Sequence, residues 1–367
     1  HFVSSGAGTH HGVDWDHYRR LASQPEPAER GEGQILRPGY GTYRLYGTRE
    51  AGPEDHDVRT MEAALPVLRQ LTAGRVPWCL YVGLVGPHDP YFVPRQYLDR
   101  IPLDSVPLPP SYADSLADKP QVYARMRRQL FGQLTEREVR EGIRHFWAYC
   151  AYLDDLFGAL LEVLDRSGQA EDTLVLYCSD HGDYCGEHGL FAKGIPCFQG
   201  AYHVPAVVRW PAGVRNPGRR VADFVSLADL APTFIELAGA QPGRHLTGAS
   251  LVPFLEDRTP GAWRDALYTQ CNGVELYYTQ RSVMTADLKY VFNGYDGDEL
   301  YDLRQDPHEV VNLTDDPGYA EAKRALCRRL WQFAYAEDDT AINPYITVGL
   351  APYGPAEAFR PSPLRCT

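Results

Sequence analysis

Apolar residues recur at two spacings along this chain, and each spacing predicts a different element. Met61, Leu65, Leu68 and Leu71 return every three or four positions, which predicts a helix over roughly 58–73. The longest helix is expected over about 136–166, where Val139, Ile143, Phe146, Cys150, Leu153, Phe157, Leu160 and Leu164 step by fours and threes. Thr135 and Glu138 stand at capping-box spacing at its start, and Ser167-Gly168 ends it. Ser226–Ala238, with Asp229 and Pro232 in its first turns, predicts another helix. Trp78–Val85 and Thr173–Ser179 are instead continuous apolar runs of strand length, the pattern of strands buried on both faces. Each stops at residues that break a strand, Gly86-Pro87-His88-Asp89-Pro90 and Asp180-His181-Gly182. Val204–Val208 is a third strand candidate. This alternation predicts an α/β fold, a mostly parallel sheet sandwiched by helices.

From about residue 262 the texture changes. Short runs at Ala266–Gln270, Tyr277–Thr285, Leu288–Asn293 and Glu299–Tyr301 are separated by turn residues, which predicts a small antiparallel sheet. A helix over about 318–336, with Ala322, Leu326, Leu330 and Phe333 on one face, is expected to close it. The division is therefore an α/β core over 1–260, a C-terminal α+β subdomain over 261–340 and a surface tail over 341–367. Residues 1–57 show no period and read as an irregular segment; the Pro-rich stretch 91–133 reads as a long excursion.

Composition narrows the class. With 44% hydrophobic and 23% charged residues, the balance is that of an ordinary globular protein. A net charge of -12 argues against nucleic acid or an anionic membrane as partner. No apolar run reaches the roughly 18 residues of a membrane span. The eight cysteines are scattered without a CxxC pair, which leans to a reducing, cytoplasmic setting but leaves the compartment open. The methionines are Met61, Met126 and Met284, so the chain does not read as a raw translation product.

The candidate chemistry lies where apolar runs end, since ligands of open α/β sheets bind at the carboxyl ends of strands. Ser179–Gly194 packs Asp180, His181, Asp183, Glu187, His188 and Lys193 into one short stretch, and Lys193 is one of only four lysines (with Lys119, Lys289 and Lys323). Aspartate beside histidine at a strand end suits a divalent cation, and a lysine following it suits an oxyanion. Asp183, Glu187 and His188 read as supporting residues. His88, between two prolines, is the titratable group of the other strand end.

Ser179-Asp180-His181-Gly182, Gly186-Glu187-His188-Gly189-Leu190 and Lys193-Gly194 together resemble the second metal-binding signature of the sulfatase family, which has an alkaline-phosphatase-like fold. Val204–Pro211, Ser226–Thr233 and the stretch from Glu299-Leu300-Tyr301-Asp302 to Asn312-Leu313 resemble further family motifs, so the likeness covers roughly 60–335. The resemblance implies that Asp180 and His181 hold a metal, usually Ca2+, with Mn2+ left open by the imidazole ligand. It implies that Lys193 and His88 hold the sulfate oxygens and assist the departing alcohol. It implies a small-molecule or saccharide sulfate ester as substrate.

The sequence departs from the family at one point. The family nucleophile is a Cys or Ser in Cys/Ser-x-Pro-x-Arg, with the Cys oxidised to formylglycine, and no such motif occurs in these 367 residues. His1-Phe2-Val3 looks like the end of the family's Gly-Lys-x-His motif, which makes His1 a third candidate active-site residue. The expectation is a sulfatase-like chain lacking the N-terminal strands, the nucleophile and part of the metal shell, these being supplied by a separate segment or chain. The alternatives are a phosphodiester or phosphonate monoester hydrolase on the same scaffold, and a non-catalytic sulfatase-like binding protein.

Overall fold

The computed structural model describes residues 30–37, 41–50, 52, 55–273, 278–294, 296–339 and 353–354. The elements in chain order are β1 (Gln34–Arg37), β2 (Gly41–Arg44), β3 (Tyr46–Thr48), α1 (His56–Ala73), β4 (Tyr91–Val93), α2 (Arg95–Leu98), α3 (Gln121–Gln129) and α4 (Glu136–Ser167). Then follow β5 (Val175–Cys178), α5 (Gln199–Tyr202), β6 (Ala206–Arg209), α6 (Leu230–Leu237), α7 (Val252–Leu255), β7 (Ala266–Cys271), β8 (Gln280–Thr285), β9 (Leu288–Asn293), β10 (Glu299–Asp302) and α8 (Ala320–Ala336). They divide into two compact units. One comprises the chain up to Tyr112, Arg125–Val163 and Cys185–Phe191; the other comprises Ala113–Ala124, Leu164–Tyr184 and the chain from Ala192. Among the described residues no helix is long and apolar enough to cross a membrane.

In the first unit the 3.6-residue period of α4 does what the sequence predicts. Val139 and Ile143 enter a core with Ile35, Leu45, Tyr91, Val106 and Phe191, all nearly inaccessible. One turn further on, Ala148, Tyr149, Tyr152 and Leu153 pack against Val93, Tyr97 and Leu98. The capping box is present: Glu138 accepts from Thr135 N–H at 2.8 Å, and Thr135 Oγ1 accepts from Glu138 N–H at 3.3 Å. Glu138 also takes the Arg30 guanidinium in a two-pronged pair at 2.7 Å and the Gly33 N–H at 2.8 Å, which anchors the β1–β2 hairpin to this helix.

Two expectations are corrected here. The stretches read as irregular contain a hairpin and a parallel pair, β3 with β4, Tyr46 opposite Tyr91. These strands are three or four residues long, too short for an alternation to stand out. Trp78–Val85, expected to be a strand, joins no ladder among the described residues. Its last N–H, on Val85, goes to a side chain, the carboxylate of Asp57.

The second unit carries the predicted four-stranded antiparallel sheet, in order β10-β9-β8-β7. Val283, Tyr290, Phe292 and Leu300 from the sheet meet Leu326, Cys327, Leu330 and Trp331 of α8. Phe292 and Trp331 pack edge to face at 4.8 Å. β5 and β6 also pair within this unit, but antiparallel, Val175 opposite Arg209. The mostly parallel sheet expected from sequence is thus not what the described ladders form; β3–β4 is the parallel pair among them. The reason is local: the chain between β5 and β6 doubles back, with Gly182 N–H donating to Ala201 O at 2.8 Å, so β6 returns against the direction of β5. The helix expected over 226–238 begins with Ser226 and Asp229 in a capping box and runs as α6. Asp229, fully buried, is held by Arg264 through two bonds of 2.6 and 2.7 Å and accepts from Ala249 N–H at 2.8 Å.

Candidate active site

Asp180 and His181 follow directly on β5, the strand end at which sequence placed them. The turn is drawn tight by its own bonds. Ser179 Oγ donates to His181 O at 2.7 Å, and Asp180 Oδ1 accepts from His181 N–H at 3.0 Å. His181 Nδ1 lies 2.8 Å from Gly182 O, a carbonyl that only accepts, so this nitrogen carries a proton. Nε2 stands 3.9 Å from Asp180 Oδ2. The Asp180 side chain is 83% exposed and that of His181 31%.

Gly182 is required by close approach. A Cβ there would stand 2.0 Å from the Gly200 carbonyl oxygen, which is inside any real contact. The loop beyond is closed by Tyr184 N–H on Ala192 O (2.9 Å) and by Ala192 N–H on the Asp183 carboxylate (3.0 Å). Ala192 takes a left-handed backbone, φ 60°, which an L-residue adopts only where neighbours enforce it. Its successor is half-buried Lys193. Asp183, read from sequence as a supporting residue, thus fixes the backbone of Ala192 directly before Lys193.

Cys178, the last residue of β5, has its thiol pKa raised by burial and by the Asp180 charge. It is kept protonated and is not an activated thiolate. His188, read as supporting, is buried, and its N–H donates to Ser111 Oγ at 3.2 Å.

His88 belongs to the first unit. Its N–H donates to Val85 O at 3.2 Å, forming a turn. Its Nδ1 lies 2.6 Å from Asp89 O and 3.4 Å from the Asp89 carboxylate, so Nδ1 again carries a proton. Tyr43 donates to the other Asp89 oxygen at 2.5 Å. Sequence reasoning passed over Asp57, whose carboxylate holds the backbone just before His88; a lone aspartate in the first turn of a helix reads as a cap. His1 lies outside the described residues.

The donor set can be compared with what a cation needs. Calcium takes six to eight oxygens. Among the described residues no three His, Cys, Asp or Glu side chains come together as a cation site, so Asp180 and His181 by themselves do not make a calcium shell.

Comparison with known proteins identifies the family. The sulfatase family model matches residues 7–240, and the model of the N-sulphoglucosamine sulphohydrolase C-terminal region matches 186–336. The sulfatase match begins at residue 7 and lends no support to the expectation that the family's N-terminal part is lacking. The chain is 34% identical to choline-sulfatase of Rhizobium meliloti over 66% of its length, covering 47% of that protein. It is 28% identical to the multifunctional alkaline phosphatase superfamily protein PehA of Trinickia caryophylli over 73% of its length, covering 58% of that protein. The chain thus spans about half the length of the curated relatives it matches. Among solved structures, phosphonate monoester hydrolase of Agrobacterium radiobacter superposes with a TM-score of 0.68 at 26% identity, covering 76% of this chain and 60% of that one. The Silicibacter pomeroyi phosphonate monoester hydrolase superposes with a TM-score of 0.71 at 21% identity, covering 89% and 69%. The fold is therefore alkaline-phosphatase-like, and the chain belongs to the sulfatase family.

Proposed function

We propose that this chain works in the metal-dependent hydrolysis of a sulfate ester. The observation that supports the reading is the end of β5, where His181 Nε2 stands 3.9 Å from Asp180 Oδ2 and the loop leading to Lys193 is held by the Asp183–Ala192 bond. Asp180 and His181 are this chain's metal ligands, for Ca2+ or alternatively Mn2+. The metal, when bound, withdraws charge from the sulfate oxygens. Lys193 supplies a compact positive charge for the same oxygens, where charge grows in the transition state. His88 keeps Nδ1–H on Asp89 O, so its Nε2 is the nitrogen that, once the ring is doubly protonated, gives its proton to the departing alcohol. His1 is a further candidate contact. These 367 residues contain no Cys-x-Pro-x-Arg, so no residue of this chain is assigned as the nucleophile. The substrate is a small-molecule or saccharide sulfate ester.

A second reading, phosphonate monoester hydrolysis, is favoured by the likeness to the Agrobacterium radiobacter enzyme at 26% identity. One experiment separates the two: kcat/KM of the protein isolated untagged from its own source, on matched aryl sulfate and aryl phosphonate esters, with peptide mass spectrometry of the same sample. Faster sulfate release together with an aldehyde-bearing Cys-x-Pro-x-Arg peptide supports the first reading. Faster phosphonate cleavage supports the second, and turnover of neither ester removes both.

A further inference from the structure

We propose that Asp57 is a positioning residue for His88, a role that rests on the function proposed above. Asp57 sits in the first turn of α1 and is fully buried. Its carboxylate accepts the Val85 N–H at 2.6 Å and lies within 3.4 Å of the Gly86 N–H, and it accepts the Tyr149 hydroxyl at 3.0 Å. Val85 O in turn accepts the His88 N–H at 3.2 Å. An unbroken run of bonds therefore leads from the Asp57 carboxylate to the backbone of the imidazole.

The surroundings hold that carboxylate in one place. Arg49 stands 3.8 Å from Asp57 and 2.9 Å from Asp55, and it donates to the Tyr149 hydroxyl at 3.0 Å. Asp55 accepts the Asp57 N–H at 2.9 Å and the Tyr152 hydroxyl at 3.1 Å. Burial, and then the Asp57 charge, raises the Tyr149 pKa, so this hydroxyl stays protonated and donates. A Cβ on Gly86 would stand 2.4 Å from the Tyr149 ring, so the backbone before His88 is pressed onto this cluster. A strand end is ordinarily held by ladder bonds, but Trp78–Val85 has none among the described residues. Asp57 takes over that task, and the loop bearing His88 keeps its position only while the carboxylate accepts both N–H groups.

The test uses Asp57→Asn, which keeps shape and removes charge, in the protein produced in its own source. For a misplaced catalytic group, kcat on an alkyl sulfate is expected to fall about tenfold or more, with KM changed less than about threefold. The double variant D57N/H88Q is expected to be no slower than H88Q, within about twofold, because the two residues act through one group. Multiplying losses, or an unchanged kcat, would overturn the proposal. Two further readouts do not need turnover: amide exchange at Val85 and Gly86, and the NMR resonances of the His88 ring. Both change in D57N while the His145 ring does not. An unaltered His88 ring with normal exchange at Val85 and Gly86 overturns the proposal even if no sulfate ester is hydrolysed, whereas an altered ring without turnover defeats only the functional reading. Should D57N fail to fold, Tyr149→Phe removes one donor to the same carboxylate and must shift the same readouts in the same direction.

Discussion

In the proposed function Lys193 and His88 make different demands on a substrate, and this separates their roles. Lys193 acts on charge at the sulfate oxygens, so Lys193→Ala should lower kcat/KM about 10²-fold or more for every ester. It is half-buried rather than core, so the urea midpoint should fall by less than about 1 kcal/mol equivalent. His88 acts on the leaving oxygen. His88→Gln should therefore slow an alkyl sulfate about 10²-fold and a nitrophenyl sulfate much less, because nitrophenolate leaves without a proton. Equal losses on both esters, measured by steady-state rates, would remove the proton-donor role. At this scale sequence singled out Asp180, His181 and Lys193, which are unusual together. It did not show what holds them. The acceptor of the Val85 N–H, Asp57, has no distinctive spacing and is found only by asking where each backbone N–H goes; the bond from Ala192 N–H to Asp183, a residue the sequence did single out, is found the same way.

Elements with a strong period were legible, and α4 shows why. Its cap, core face and end follow from side-chain spacing alone. The cap also has a pH consequence. Burial would raise the Glu138 pKa, but Arg30, then Thr135 and Gly33, outweigh it and hold the carboxyl at about 2. A carboxyl lowered on folding stabilises the protein fully above its unfolded value near 4.3, and this is lost as pH falls towards 2. Urea midpoints taken from pH 6 downwards should fall over that window, and Glu138→Gln should flatten this part of the profile. An identical slope in the variant would assign the acid sensitivity elsewhere. β1 to β4 were not legible because three- and four-residue strands carry too little pattern, and the direction of β6 was not because it is set by the loop before it.

At the scale of the whole molecule, several buried charges among the described residues are paired. Asp229 with Arg264, Arg281 with Asp339 and Lys289 with Glu309 each tie segments distant in sequence within the second unit. Asp229→Ala removes the capping-box bond from Ser226 N–H in the turn that leads into α6 and two bonds from Arg264, and should cost about 2–3 kcal/mol in urea unfolding at unchanged m. A loss below about 0.5 kcal/mol would show that this junction is solvated in solution. The C-terminal sheet and α8 could be read from sequence because turn residues separate each apolar run, whereas the expected parallel core could not be recovered from apolar runs alone. The family follows from ordered motifs spread over most of the chain, and the matches to 7–240 and 186–336 bear it out.

The central claim is that this chain's residues act in sulfate ester hydrolysis. Its most direct test is inorganic sulfate released from an alkyl or aryl sulfate by the protein isolated from its own source, beside the same preparation carrying Lys193→Ala. The account predicts sulfate and alcohol in equal amounts, in proportion to protein, with release falling about 10²-fold in the variant. No release from any sulfate ester, or equal release by both preparations, would contradict it.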